Sequence, residues 1–198
     1  MMPEAGRLGF ARPLILITLG WVGSAALVEN LALAGRAILQ VGSEPAIYDP
    51  AAAALLGLVG GFVSGAVLQA LKPPFGWRHA AGLAVAWSLA LGAAARLAVG
   101  RWALGTLLYP ILAGALGGMF SGLVLRQAFG PAGWTFRWLG SYVLRWTLFC
   151  LLGLLPVLIS PIERLLLAGH LTEAAFWAVA GALGWGLTLR RLRTLEAE

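Results

Sequence analysis

Long apolar blocks, rather than narrow amphipathic stripes, dominate the pattern of this 198-residue chain. Each block runs for about 20 residues, the length that an α-helix needs to cross the hydrocarbon core of a bilayer. The pattern therefore predicts an all-α integral membrane protein, a bundle of six transmembrane helices forming one domain over residues 1–198. The expected spans cover about residues 13–34, 51–71, 77–97, 104–125, 134–159 and 173–189.

Proline, glycine and basic residues separate the blocks. Span two is expected to stop at Lys72-Pro73-Pro74, span three at Gly100-Arg101 and span four at Gly130-Pro131. Proline cannot continue a helix, and glycine favours a helix end. Pro156 interrupts span five, and the mixed segment 162–170 is expected to lie at the membrane interface.

The composition supports the membrane class. Hydrophobic residues make up 60% of the chain and charged residues 11%, whereas a soluble domain is about half apolar and a quarter charged. The net charge of +6 does not indicate a nucleic-acid partner, because the basic residues flank the apolar blocks instead of clustering on one face. The lipid bilayer is the expected partner.

The basic residues also predict orientation, because Lys and Arg are enriched in cytoplasmic loops. Six spans put both termini on one side, which then holds nine basic residues against four on the other. We therefore expect a multi-pass protein of the cell inner (plasma) membrane with both termini in the cytoplasm. The nine are Arg7, Arg12, Lys72, Arg78, Arg126, Arg137, Arg190, Arg191 and Arg193, and the four are Arg36, Arg96, Arg101 and Arg164.

Spans two and four look like copies of each other. Residues 55–77 align without a gap on residues 112–134, with eleven identities in twenty-three positions. Because two spans separate the copies, they form a parallel internal two-helix repeat. Span six is a candidate third copy, with span one as its returning helix. The identical pairs are Leu55/Leu112, Gly57/Gly114, Gly60/Gly117, Gly61/Gly118, Ser64/Ser121, Gly65/Gly122, Val67/Val124, Leu68/Leu125, Pro74/Pro131, Gly76/Gly133 and Trp77/Trp134.

Glycines at four-residue spacing mark one face of each copy, as in a glycine zipper. Small residues let transmembrane helices approach closely, which is the main source of attraction between helices in lipid. The simplest interpretation is packing within the chain, and the alternative is a face for another membrane subunit, a second copy or a flat ligand. The two stripes are Gly57, Gly61 and Gly65, and Gly114, Gly118 and Gly122.

A few polar and aromatic side chains within the spans are candidate ligand or partner contacts. Charges are costly there and need partners, and the depth of Glu29 along span one suggests an ion pair with Arg96. Arg145 would then meet carbonyls, a lipid headgroup or a partner protein. Deep tryptophans either pack in the core or stack on a pigment, quinone or lipid. The candidates are Glu29, Asn30, Arg96, Arg145, Trp87 and Trp146.

Catalytic chemistry has little support in the sequence. The two histidines and the single cysteine form no cluster with carboxylates at metal-ligand spacing, and no phosphate-binding loop occurs. We expect no catalytic residue, no metal site and no enzymatic activity, and the sequence identifies no cofactor.

Two functional hypotheses remain. The first is a non-enzymatic accessory or scaffold subunit that packs against other membrane proteins, pigments, quinones or lipids. The second is a small-molecule binding or transport subunit, because the size, six spans and cytoplasmic termini are similar to the substrate-binding subunits of energy-coupling-factor vitamin transporters. Polar groups and tryptophans lining a central void favour the second, and glycine faces open to lipid favour the first.

Overall fold

The computed structural model describes residues 5–39, 49–71, 75–98, 102–159, 162 and 171–197. Over these ranges the chain forms six long helices and one short helical segment, and no β-strand. The predicted all-α class is therefore confirmed. The helices are α1 (Ala5–Leu39), α2 (Pro50–Leu71), α3 (Trp77–Ala98), α4 (Trp102–Phe129), α5 (Phe136–Leu152), α6 (Leu155–Leu158) and α7 (Thr172–Ala197).

Five of the expected spans coincide with helices that are long and apolar enough to cross a membrane. These are Phe10–Ala34, Pro50–Leu71, Trp77–Ala98, Leu107–Phe129 and Phe136–Leu158. The sixth span corresponds to α7, whose 26 residues give it the necessary length. It is less apolar than the others, because it has Glu173 in its first turn and carries three arginines near its end. A sixth crossing remains a prediction.

The ends of the helices follow their local sequence where they are described. Gly130 has a positive φ of 83° and donates its N–H to Arg126 O, which closes α4 in the conformation that glycine adopts without strain. The break in span five precedes Pro156, because proline has no N–H to offer the carbonyl of Leu152. The expected stops at Lys72-Pro73-Pro74 and Gly100-Arg101 lie outside the described residues, as does most of segment 162–170.

The long helices form a ring. Each of α1 to α4 packs against the next, and α7 packs against both α5 and α1. The start of α1 meets the end of α7, where the Arg193 guanidinium lies 4.9 Å from the Phe10 ring centroid. At the opposite end, Glu29 of α1 contacts the start of α7. Helices α1 and α7 are therefore antiparallel, and the two ends of the described chain lie on the same side.

Two of the nine arginines and lysines that were expected on the cytoplasmic side hydrogen-bond to the turn between α4 and α5. Arg126 Nη1 donates to Trp134 O at 2.6 Å, and Arg191 Nη2 donates to Gly133 O at 2.9 Å. Arg126 also lies over the Phe136 ring, 4.1 Å from its centroid. These residues were expected to set orientation only, and the structure adds a structural role for their side chains.

Candidate functional site

Tryptophan side chains from four helices converge in the centre of the ring. Trp87 of α3 lies at the middle, with its ring centroid 5.1 Å from that of Trp21, 4.8 Å from Trp146 and 5.8 Å from Trp177. Most of these pairs meet edge to face, an arrangement that aromatic rings favour. We call this cluster the aromatic core: Trp21, Trp87, Trp146, Trp177 and Trp185, each with 0% of its side chain exposed.

Glycines on the next helix make room for three of these rings. A Cβ atom added at Gly60 would lie closer than 3.0 Å to the Trp21 ring. The same is true of Gly117 against Trp87 and of Gly184 against Trp146. The indoles therefore sit directly on helix backbone, and any larger residue at these glycines would displace them.

Hydroxyl groups one turn beyond these glycines hydrogen-bond within the core. Ser64 Oγ accepts from Trp21 Nε1 at 2.8 Å and donates to Gly60 O at 2.8 Å. Thr188 Oγ1 lies 2.9 Å from the Tyr142 hydroxyl and donates to Gly184 O at 2.9 Å. The indole N–H of Trp87 meets no acceptor among the described atoms. The core is therefore predominantly apolar with a few paired polar groups.

Replacing Ser64 by alanine is expected to reduce the free energy of unfolding in detergent by about 1–3 kcal/mol, because the buried Trp21 N–H loses its acceptor. Ser24→Ala is the matched control, because Ser24 is also buried and its described bond runs to Gly20 O of its own helix. Thermal unfolding followed by circular dichroism measures both. Equal melting temperatures for the two variants would show that the Trp21–Ser64 bond contributes nothing.

The glycine stripes pack against neighbouring helices of the same chain. Added Cβ atoms at Gly57 and Gly61 would meet backbone atoms of Trp87 and Leu83 on α3 at less than 3.0 Å. Gly114 stands in the same relation to Thr147 of α5, and the remaining stripe residues, Gly65, Gly118 and Gly122, also face α3 or α5. These glycine faces are covered by helices of the same chain, so the lipid-open glycine face that would have favoured an accessory subunit is absent at both stripes.

Glu29 has a partner that the sequence did not suggest. Its Oε2 accepts a hydrogen bond of 3.1 Å from the backbone N–H of Glu173, in the first turn of α7. A carboxylate at a helix N-terminus satisfies an unpaired N–H group and opposes the positive end of the helix dipole. Asn30 is exposed and donates Nδ2 to Ala26 O at 2.7 Å. The structure thus gives Glu29 a bond to α7, and the pairing with Arg96 stays a prediction.

The two arginines among the candidate contacts lie on the outside of the ring. Arg96 is exposed on α3, and Arg145 is exposed on α5. Trp87 and Trp146, by contrast, are in mutual contact in the aromatic core. The six candidates therefore do not converge on one cavity. The two tryptophans lie in the aromatic core, Glu29 and Asn30 lie on the C-terminal half of α1, and the two arginines face outward.

The exposed side of α5 is apolar apart from its arginines. The helix buries Leu139, Tyr142, Trp146 and Cys150 on one side. On the opposite side Leu144 is 61% exposed, Leu148 48% and Leu152 41%. Together with the exposed Arg137 and Arg145, these three leucines define what we call the α5 outer face.

Sequence reasoning missed Trp177 and Glu173 as members of the interior. Trp177 stacks on Trp21 with ring centroids 4.4 Å apart, and Glu173 is only 6% exposed at the start of α7. Their four-residue separation on one helix face was the available signal. This spacing puts Glu173 and Trp177 on the same side of α7, and that side faces the interior of the ring.

Metal-ligating side chains form no group of three or more within the part of the chain that the structure describes. Cys150 is buried there, and His79 Nδ1 accepts from Gly76 N–H at 3.1 Å, where it caps the start of α3. Comparison of the chain with protein-family models, with curated proteins and with solved structures gave no match.

Proposed function

We propose that this protein is a non-enzymatic accessory or scaffold subunit of a membrane protein complex, and that it docks on its partner through the α5 outer face. In this proposal α7 makes the sixth crossing and both termini lie on the cytoplasmic side of the cell inner membrane. The observation that carries the proposal is an exposed arginine, Arg145, in the middle of an apolar span.

The position of Arg145 is energetically costly in lipid. It is the tenth residue of the 23-residue segment Phe136–Leu158, about 14 Å along the axis from Phe136. An arginine near the centre of a transmembrane helix costs about 2.5–3.5 kcal/mol on insertion scales. Its long side chain can reach toward the interface and lower that cost, and a carboxylate on an adjoining helix lowers it further.

The surroundings of Arg145 fit a helix of another subunit. Leu144, Leu148 and Leu152 recur every four residues, and Arg145 lies three residues before Leu148 and eight after Arg137, so all five lie on one side of α5. Apolar contact along the leucines and a charge pair at Arg145 would together specify both adhesion and register. The partner is therefore expected to carry an Asp or Glu within a transmembrane helix.

The aromatic core argues against the carrier alternative. A binding or transport subunit needs side chains that surround a space for its substrate. Here the deep tryptophans contact one another, and Trp21 and Trp146 rest on the backbone of the next helix. A ligand in this position would have to separate packed rings.

A repeated architecture is part of the proposal. In α2 and α4, the equivalent residues Gly57 and Gly114 pack against the backbone of the helix that follows. Gly60 and Gly117 each contact the ring of a tryptophan from the helix that precedes. Gly184 of α7 receives Trp146 in the same way. These contacts support three helix pairs, α2–α3, α4–α5 and α7–α1, built on one plan, with α7 as the third copy.

Native mass spectrometry after gentle extraction from the native membrane tests the proposed function. Wild-type protein is expected to carry another membrane protein in fixed ratio, and Arg145→Gln to lose it, because glutamine keeps length and polarity but not charge. Arg78→Gln is the control, as an exposed arginine of α3 that lies outside the α5 outer face, and should keep the partner. A lone wild-type chain that carries a defined small molecule would instead support the carrier alternative.

A further inference from the structure

A groove with an apolar floor and one charged end separates α1 from α2 on the outside of the ring. Its volume is about 770 Å³. Most of its lining is aliphatic or aromatic, and Arg12 is the one charged residue among the described side chains that line it. We call it the α1–α2 groove, lined chiefly by Arg12, Leu16, Phe62, Val63, Ala66 and Ala70.

The sequence explains why the two helices leave this space. Beyond the groove they touch, because a Cβ at Gly20 would lie closer than 3.0 Å to the Val63 side chain. Within the groove α2 contributes Ala66 and Ala70, whose side chains are too small to fill the gap. Leu16 and Phe62, each 48% exposed, form its edges. From Phe62 to Ala70 the groove extends about 12 Å along α2, at 1.5 Å per residue.

The charge in the groove lies at the start of a span. Arg12 is exposed and immediately precedes Pro13, near the beginning of the apolar segment Phe10–Ala34. On the other side of the α1 N-terminal turns, Arg193 lies over Phe10, and Arg190 lines the same small depression. The end of the groove at Phe62, deeper in the span, is apolar, and the end at Arg12, near the start of α1, carries positive charge. Within the part of the chain that the structure describes, no acidic side chain lines the groove.

This combination matches the two parts of a phospholipid. An acyl chain gains contact with the apolar floor, and a phosphate gains a charge-assisted hydrogen bond from a guanidinium. Basic pockets between transmembrane helices on the cytoplasmic side are suited to anionic headgroups. Zwitterionic lipids present the same chains but no net negative charge, so Arg12 distinguishes between the two classes.

We propose that the α1–α2 groove is a binding site for an anionic phospholipid, with one acyl chain against Phe62 and Ala66 and the headgroup phosphate on the Arg12 guanidinium. The site is on a different surface from the α5 outer face, and it does not depend on the docking of a partner. It would anchor the N-terminal end of α1 against α2 from the lipid side.

Lipid retention by the purified full chain tests the site. The protein is delipidated in detergent and given equal amounts of phosphatidylglycerol and phosphatidylcholine with identical acyl chains, and bound lipid is counted by native mass spectrometry. Wild-type protein is expected to retain one phosphatidylglycerol in preference, by about fivefold for a single cation near the surface. Arg12→Gln is expected to remove the preference, and Arg78→Gln, which changes an exposed arginine outside the groove, to keep it.

A second variant separates the groove from the charge. Ala66→Phe fills the floor and should reduce retention of both lipids, while a circular dichroism melt checks that the chain is folded. Equal retention of the two lipids by wild-type protein, or an unchanged preference in Arg12→Gln, would overturn the proposal. The Arg12→Gln comparison decides the question even if Ala66→Phe does not fold.

Discussion

Replacing Gly57 or Gly114 by alanine is expected to lower the melting temperature of the protein in detergent. The added methyl group would lie closer than 3.0 Å to backbone atoms of Trp87 or Thr147. Backbone atoms cannot rotate away as a flexible side chain can, so the two packed helices must move apart. Overpacking of this kind costs about 1–3 kcal/mol, and it acts against the gain of about 1 kcal/mol in helix propensity on replacing glycine by alanine.

The controls for this prediction lie on the same helical framework. Cβ atoms added at Gly23 of α1 and Gly140 of α5 meet nothing within 4 Å. Gly23→Ala and Gly140→Ala should therefore leave the melting temperature unchanged or raise it slightly. If Gly57→Ala and Gly114→Ala behave like these controls, the close approach of α2 to α3 and of α4 to α5 is wrong.

Replacing Trp87 by alanine is expected to destabilise the protein by about 3–5 kcal/mol, the usual cost of removing a large buried aromatic side chain. The ring contacts Trp21, Trp146 and Trp177, so its loss would leave a cavity bounded by three other indoles. Trp77→Ala is the matched control, because Trp77 is 59% exposed, and it should cost less than a third as much. The loss of ellipticity with temperature or with denaturing detergent measures the difference.

This experiment also distinguishes packing from ligand binding. If Trp87→Ala kept the wild-type melting temperature but lost a small molecule that copurifies with the wild-type protein, the aromatic core would be a binding site. The packed rings predict the opposite result: a large loss of stability in protein that has been freed of lipid and other small molecules.

The sequence predicted the framework well because each span is specified locally. Twenty-residue apolar blocks indicate membrane helices whatever their neighbours are, and five of the six predicted blocks coincide with apolar helices of sufficient length. The sixth shows how a boundary case arises. The acidic start and arginine-rich end of α7 lower its mean hydropathy. The helix nevertheless packs against α1 and α5, and composition alone does not reveal that packing.

The interior could be predicted only in part. The depth of Trp87 and Trp146 followed from their positions in the spans, and the structure brings them into contact in the aromatic core. Trp134 stands at the start of the expected fifth span, where indoles commonly lie at the membrane interface, yet it is fully buried and its ring centroid is 4.0 Å from that of Trp138. A tryptophan near a span end can turn toward lipid or toward protein. That choice depends on neighbouring helices, here through Tyr142 of α5.

The polar groups were hardest to pair from the sequence. Depth along a helix suggested Arg96 for Glu29, because depth is all that a linear sequence provides. The bond that the structure describes for Glu29 comes from the backbone N–H of Glu173, 144 residues away, and the pairing with Arg96 stays a prediction. A backbone group has no sequence signature, and only the ring closure of α7 on α1 brings it near. For Arg145, depth along the helix was informative but direction was not, because each residue of a helix is turned by about 100° from the one before it and the sequence does not say which side packs against protein.

Photo-cross-linking in intact native membranes tests the central claim most directly. A photoreactive phenylalanine derivative replaces Leu148 on the α5 outer face, or Leu89 on α3, which is 60% exposed and serves as the control. Docking through α5 predicts one discrete protein adduct at Leu148, mapping to a transmembrane helix with an Asp or Glu, and absent when Arg145→Gln is combined with the cross-linker. Lipid adducts alone at both positions would contradict the proposed role.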